Sequence, residues 1–138
     1  MKEKSVAAWL KKANDDIQVG INECAAAIPV PDAIAFHSQQ CVEKCLKAFL
    51  VFHGAEFRKT HDLAELIKPC MEIDPEFQRI YDFHADRLTE YAVEARYPGD
   101  LESPSMEEAE KALHLAEQVR NFVLQKLHRK GLGNSGLA

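Results

Sequence analysis

Apolar residues recur along this chain every three or four positions and never alternate in a sustained way. That periodicity predicts five helices and no strand. The first is expected from Ser5 to Ala27, with Val6, Trp9, Leu10, Ala13, Ile17, Gly20, Ile21 and Cys24 on one stripe and Ser5 as N-cap. Pro29-Val30-Pro31 cannot continue it. The second runs from Asp32 to His53 and stops at Gly54. Its apolar face is Ile34, Cys41, Val42, Cys45, Phe49 and Phe52, and Gln40, Glu43, Lys44 and Lys47 fall on the opposite side.

A short third helix is expected from His61 to Met71, capped by Thr60. The fourth starts with Asp74 as N-cap and Pro75 at its first position. Phe77, Ile80, Tyr81, His84, Leu88, Tyr91 and Ala95 form its stripe, and Pro98-Gly99 ends it. The fifth begins near Ser103-Pro104 or at Ser105, which stands at capping-box spacing from Glu108. Ala109, Ala112, Leu113, Ala116, Val119, Val123 and Leu127 make its face.

Long helices with short connections predict an all-α, up-and-down bundle of four main helices plus one short accessory helix. A single domain over residues 1–130 and a flexible tail over 131–138 complete the expected layout. Phe36, Val51, Leu115 and Phe122 lie off the main stripes. This surplus points either to a self-association surface or to burial around a central helix.

Composition narrows the function classes. A length of 138 residues suits one domain that needs no metal or disulfide to be stable. A net charge of −5 argues against broad, non-specific nucleic-acid binding but leaves room for a local basic site. No apolar run is long enough to span a bilayer, and the N-terminus has no signal-peptide core, so the expected location is the cytoplasm. Cys24, Cys41, Cys45 and Cys70 have no matching zinc-finger spacing and are expected to be small core hydrophobes.

Arg58-Lys59-Thr60-His61-Asp62 sets two cations beside a helix start, where exposed amides and the helix dipole favour an anion. Capping by Thr60 and dipole compensation by Asp62 is the simpler reading of the same residues. Glu43 and Lys47 form an i,i+4 pair worth about 0.3–0.5 kcal/mol on a solvated face. If the second helix is central, Gln40, Glu43 and Lys44 line a polar pocket instead. His84 is expected to be a hydrogen-bonded core histidine. Arg120 falls on the apolar face of the fifth helix and requires a carboxylate partner, with Asp16 and Glu94 as candidates. No Gly-rich phosphate loop, nucleophile elbow or metalloprotease motif occurs, and no metal or cofactor is expected.

Four stretches together resemble the HEPN (higher eukaryotes and prokaryotes nucleotide-binding) domain family. They are Trp9 to Ile17, Phe36-His-Ser-Gln-Gln-Cys-Val-Glu-Lys-Cys-Leu-Lys-Ala48, Thr60-His-Asp-Leu63, and Leu88-Thr-Glu-Tyr-Ala-Val-Glu-Ala-Arg-Tyr-Pro98. The resemblance implies a helical homodimer, often encoded beside or fused to a minimal nucleotidyltransferase. Many members are toxins that cleave RNA without metal, using Arg followed by His after four to six residues. Arg79 and His84 have that spacing, but one chance match is expected in a chain of this composition, and the two point about 140° apart on a continuous helix. Arg96 is followed by no histidine at that spacing.

The resulting expectation is a dimeric binding module for a nucleotide or phosphate-bearing ligand, with a nucleotidyltransferase partner. Lys44, Arg58, Lys59, His61 and Arg96 would meet phosphate, and Tyr91 or Tyr97 would stack on a base. The alternative is a metal-independent endoribonuclease toxin with Arg96 and His61 as catalytic groups and RNA as substrate. A third reading is a non-catalytic interaction domain in which Glu94 and Arg96 organise a dimer.

Overall fold

A computed structural model describes residues 2–92 and 103–131. Among the described residues, five α-helices carry the fold: α1 (Lys2–Cys24), α2 (Pro31–Phe52), α3 (Leu63–Ile73), α4 (Gln78–Asp82) and α5 (Met106–Arg129). Short 3-10 turns, Pro75–Phe77 and Ala85–Tyr91, flank α4. Among the described residues there is no strand, and no helix is long and apolar enough to cross a membrane. The all-α expectation holds.

Helix α2 is the central element. Pro31 occupies its first turn, where the missing N–H costs nothing. Its end is set by Gly54, whose φ of +67 is a conformation that L side chains rarely adopt. Helices α1, α3 and α5 and the 85–91 segment all contact it, so side chains on every side of α2 are buried. Phe49 stacks on Phe77 with centroids 4.3 Å apart, and Phe77 meets Phe122 edge-on at 5.0 Å. Helices α1 and α5 approach closely at Gly20, where a Cβ would lie 2.7 Å from Leu113 Cδ1.

Helix starts follow local chemistry with two corrections. Ser5 lies inside α1, which begins at Lys2. Asp62, not Thr60, caps α3 by accepting the Ala64 N–H at 3.1 Å. The Thr60 hydroxyl accepts the Asp62 N–H at 3.1 Å and so shapes the loop before the helix. The capping box of α5 forms as expected: Ser105 Oγ accepts the Glu108 N–H at 3.1 Å, and Glu108 accepts the Ser105 N–H at 2.9 Å. Asp74 caps the next segment through the Glu76 N–H and also binds Lys126 Nζ at 2.8 Å.

The expected fourth helix is not continuous. Helix α4 ends at Asp82, and His84 takes the left-handed conformation with φ 62 and ψ 23. The chain then restarts as a 3-10 turn. Histidine is among the residues that tolerate this backbone region better than most. The break turns His84 out to solvent, correcting the expected core histidine, while Phe77, Ile80, Ala85 and Leu88 stay buried. A left-handed residue can thus end a helix without any Gly or Pro to announce it.

Cys41, Cys45 and Cys70 are buried thiols in the core and Cys24 is half-buried. Hydrogen bonding to Cys45 and burial push the Cys41 thiol well above its ordinary value, and burial does the same to Cys70. Among the off-stripe apolar residues, Phe122 is buried, and Phe36, Val51 and Leu115 are half-buried.

Candidate functional site

Because α2 is central, its polar residues cannot form a solvated face. Glu43 is 3% exposed, Lys47 5% and Asp16, on α1, 6%. Buried charges at this depth persist only when paired. Two arrangements of the same kind supply the pairing. Asp16 gives one carboxylate oxygen to Lys44 Nζ at 2.7 Å and the other to His37 Nδ1 at 2.8 Å. Glu43 gives one oxygen to Lys47 Nζ at 2.8 Å and the other to His61 Nδ1 at 2.6 Å. The Glu43–Lys47 pair is therefore buried and not solvated.

The surroundings reinforce the Glu43 group. Gln39 Nε2 donates to Glu43 at 3.3 Å and to the His61 carbonyl at 3.0 Å, and Gln40 Nε2 donates to Gln39 Oε1 at 2.7 Å. Lys47 Nζ lies 5.4 Å from the Trp9 ring centroid and 5.9 Å from that of Phe57. The loop carrying Phe57 and His61 is thereby fastened to α2. His37 and His61 remain 29% and 27% exposed at their side chains. In both, the nitrogen facing the carboxylate fixes the ring and directs the other nitrogen away from it.

The expected ligand residues are distributed unevenly. Lys44 and His61 sit on separate carboxylates of this polar line. Arg58 is exposed and bonded to Glu65; that hydrogen bond raises the Arg58 pKa and holds the Glu65 carboxyl below its ordinary value. Lys59 is exposed. Glu94, Arg96 and Tyr97 lie outside the described residues. Tyr91 is half-buried against the core, away from the α2 line, where it lines a cleft between the 85–91 segment and α5.

Arg120 does not take Asp16, which is committed to Lys44 and His37. Its terminal nitrogens approach the side-chain oxygens of Asn14 and Asn121 at 3.4 Å, and its Nε is buried without a hydrogen-bond partner. Arg79 lies over Phe83 and Phe122, whereas His84 lines the cleft. Among the described residues, no group of three or more His, Cys, Asp or Glu side chains is placed to hold a metal ion.

Sequence reasoning missed Asp16 as the partner of Lys44, His37 altogether, and Glu43 as the partner of His61. The available signal was the apolar surplus on the second helix, which marked it as central.

The HEPN domain model matches residues 6–127. A protein of Methanocaldococcus jannaschii that bears the name Putative toxin MJ1304 is 30% identical over 141 residues, covering 92% of this chain and 91% of its own length. No solved structure matches the chain significantly. With nearly the whole helical core inside the match, the chain belongs to the HEPN domain family.

Proposed function

We propose that this HEPN chain is a binding module for a nucleotide or another phosphate-bearing ligand, acting as a homodimer with a nucleotidyltransferase partner. The observation that carries the reading is the pair of Lys–carboxylate–His groups along α2. A buried charge cluster of this kind costs stability that apolar packing would not, and such clusters concentrate at functional sites. Lys44 and His61 present partly exposed donors at its edge, and Asp16 and Glu43 hold them in place. Isothermal titration with ATP, GTP and a short RNA tests this: saturable binding is expected, weakened in Lys44→Gln and His61→Gln. A folded protein that binds none of the three ligands overturns it.

A second reading, an endoribonuclease toxin, draws on the Glu43–His61 geometry and on the name of the archaeal relative. His61, oriented by Glu43, would accept the 2′-hydroxyl proton, and Arg96 would face the phosphate. Expression would then arrest growth, and His61→Gln would relieve the arrest. Robust growth with intact cellular RNA would dispose of this reading.

A further inference from the structure

The turn that joins α1 to α2 carries apolar surface that does not serve the core. Among the described residues, the four large apolar side chains that stand exposed are Val19, Ile21, Ile28 and Val30, and all lie in the last turns of α1 or in this connection. Ile28 is 86% exposed and Val30 49%. Ala25, Ala26 and Ala27 are exposed as well, so the tip from Ala25 to Val30 shows no polar side chain. Single apolar residues scattered over a surface are ordinary, but a contiguous exposed run marks a contact site.

The tip is held in one shape. The Val30 N–H donates to Glu23 Oε2 at 2.9 Å, which ties the start of α2 back to α1. The Ala25 and Ala26 N–H groups donate to the Ile21 and Glu23 carbonyls, and those of Ala33 and Ile34 donate to the Val30 carbonyl. Pro29 and Pro31 fix φ on either side of Val30. A tip already ordered loses little entropy when a partner covers it.

The charge around the tip has one sign. Between Lys12 and Lys44 the chain has no lysine or arginine, and α1 has no basic residue in its last turn to offset the negative end of its dipole. Glu110 and Glu117 on α5 and Glu23 on α1 converge on Cys24, whose thiol is raised by burial first and by these carboxylates next. Ser103 Oγ donates to Asp32 Oδ2 at 2.8 Å, which adds a further carboxylate at the start of α2. The first cation of α5, Lys111, contacts Glu107 at 3.4 Å. Such a rim repels an anionic bilayer or a nucleic acid, and segments that lie on membranes carry Lys and Arg instead. A second copy joined tip to tip would set the same carboxylates against each other.

We infer that the α1–α2 tip is a docking site for a different protein, whose contacting segment combines apolar side chains with lysines or arginines. Ile28 and Val30 supply the apolar anchor, and Glu110 and Glu117 face the cations. The assignment stands whatever the α2 line binds.

Amide NMR of the full chain titrated with a helical leucine–lysine peptide tests it, with a leucine–glutamate peptide of the same pattern as control. The leucine–lysine peptide is expected to shift amides between Val19 and Asp32 and around Glu110, and the control to bind at least about tenfold more weakly. Ile28→Ser combined with Val30→Ser changes two exposed positions and leaves the Val30 N–H in place. It is expected to keep the wild-type fold by circular dichroism and to weaken the leucine–lysine peptide at least about tenfold. Glu110→Gln should weaken it about twofold or more, and phosphatidylglycerol vesicles should leave the tip amides unshifted. Equal binding of the two peptides, shifts confined to other surfaces, undiminished binding by the double serine variant, or tip shifts produced by vesicles or by raising the protein concentration alone would overturn the inference.

Discussion

The α2 line and the α5 cleft use the same residue types in opposite ways. Along α2, Lys47 is shielded from water and Lys44 is partly so, and both are matched oxygen for nitrogen with carboxylates. Around the cleft, Arg87, Lys111 and His84 stand in solvent over an apolar lining. A cation of the first kind is tied to the integrity of the helices around it. A cation of the second kind costs little to replace and is available to a ligand. The same substitution should therefore read out differently in the two places, as a large loss of stability at Lys47 and a small one at Arg87 or Lys111.

The largest effect should come from Glu43→Ala. It leaves Lys47 buried without its carboxylate, and removal of one partner of a buried pair costs about 3–5 kcal/mol. Urea unfolding measures this, and adding Lys47→Met should recover part of the loss because the orphaned charge is gone. A cost under about 1 kcal/mol would mean that the pair behaves like a surface one and would erase the contrast between the two regions.

Ser105→Ala comes next, at about 1 kcal/mol, because it removes the hydroxyl half of the α5 capping box. His84→Gly sharpens the comparison from the side of the cleft. Glycine adopts the left-handed backbone without a Cβ penalty, so stability should rise by up to about 1 kcal/mol.

The smallest effect is pH-dependent. Glu108 is held below its ordinary value of 4.5, chiefly by the Ser105 backbone N–H. A carboxyl lowered in the folded state contributes stability that is present above its unfolded value and lost as pH falls through the folded one. Glu108→Gln should therefore be less stable than wild type at neutral pH, and the difference should close as pH drops below 4.5. Thermal unfolding across that range would show whether the gap closes.

Most of the helical layout was legible because amphipathic periodicity and capping residues are local signals. The α5 start at Ser105 and Glu108 was readable residue by residue, as was the Asp74 cap. The break at His84 was not, because Phe77, Ile80, Leu88 and Tyr91 keep helical spacing across it while the backbone departs from the helix. Periodicity reports which side chains are buried, not the path that buries them. The site was legible only in part for a related reason. Glu43 and Lys47 could be paired from their spacing, but His61 joins them through a contact across 18 positions and Lys44 meets Asp16 across 28. Contacts of that range depend on how α1, α2 and the loop before α3 come together.

The core thiols provide the fold with internal clocks. Cys24 is half-buried and should be modified first by a thiol reagent in the native protein. Cys41 and Cys45 lie in α2 and Cys70 in α3, all sealed from solvent. Their modification must wait for the surrounding helices to part, so the rate at each cysteine measures how often that helix opens. With no added label, the chain can report whether its centre and its margin open together or separately.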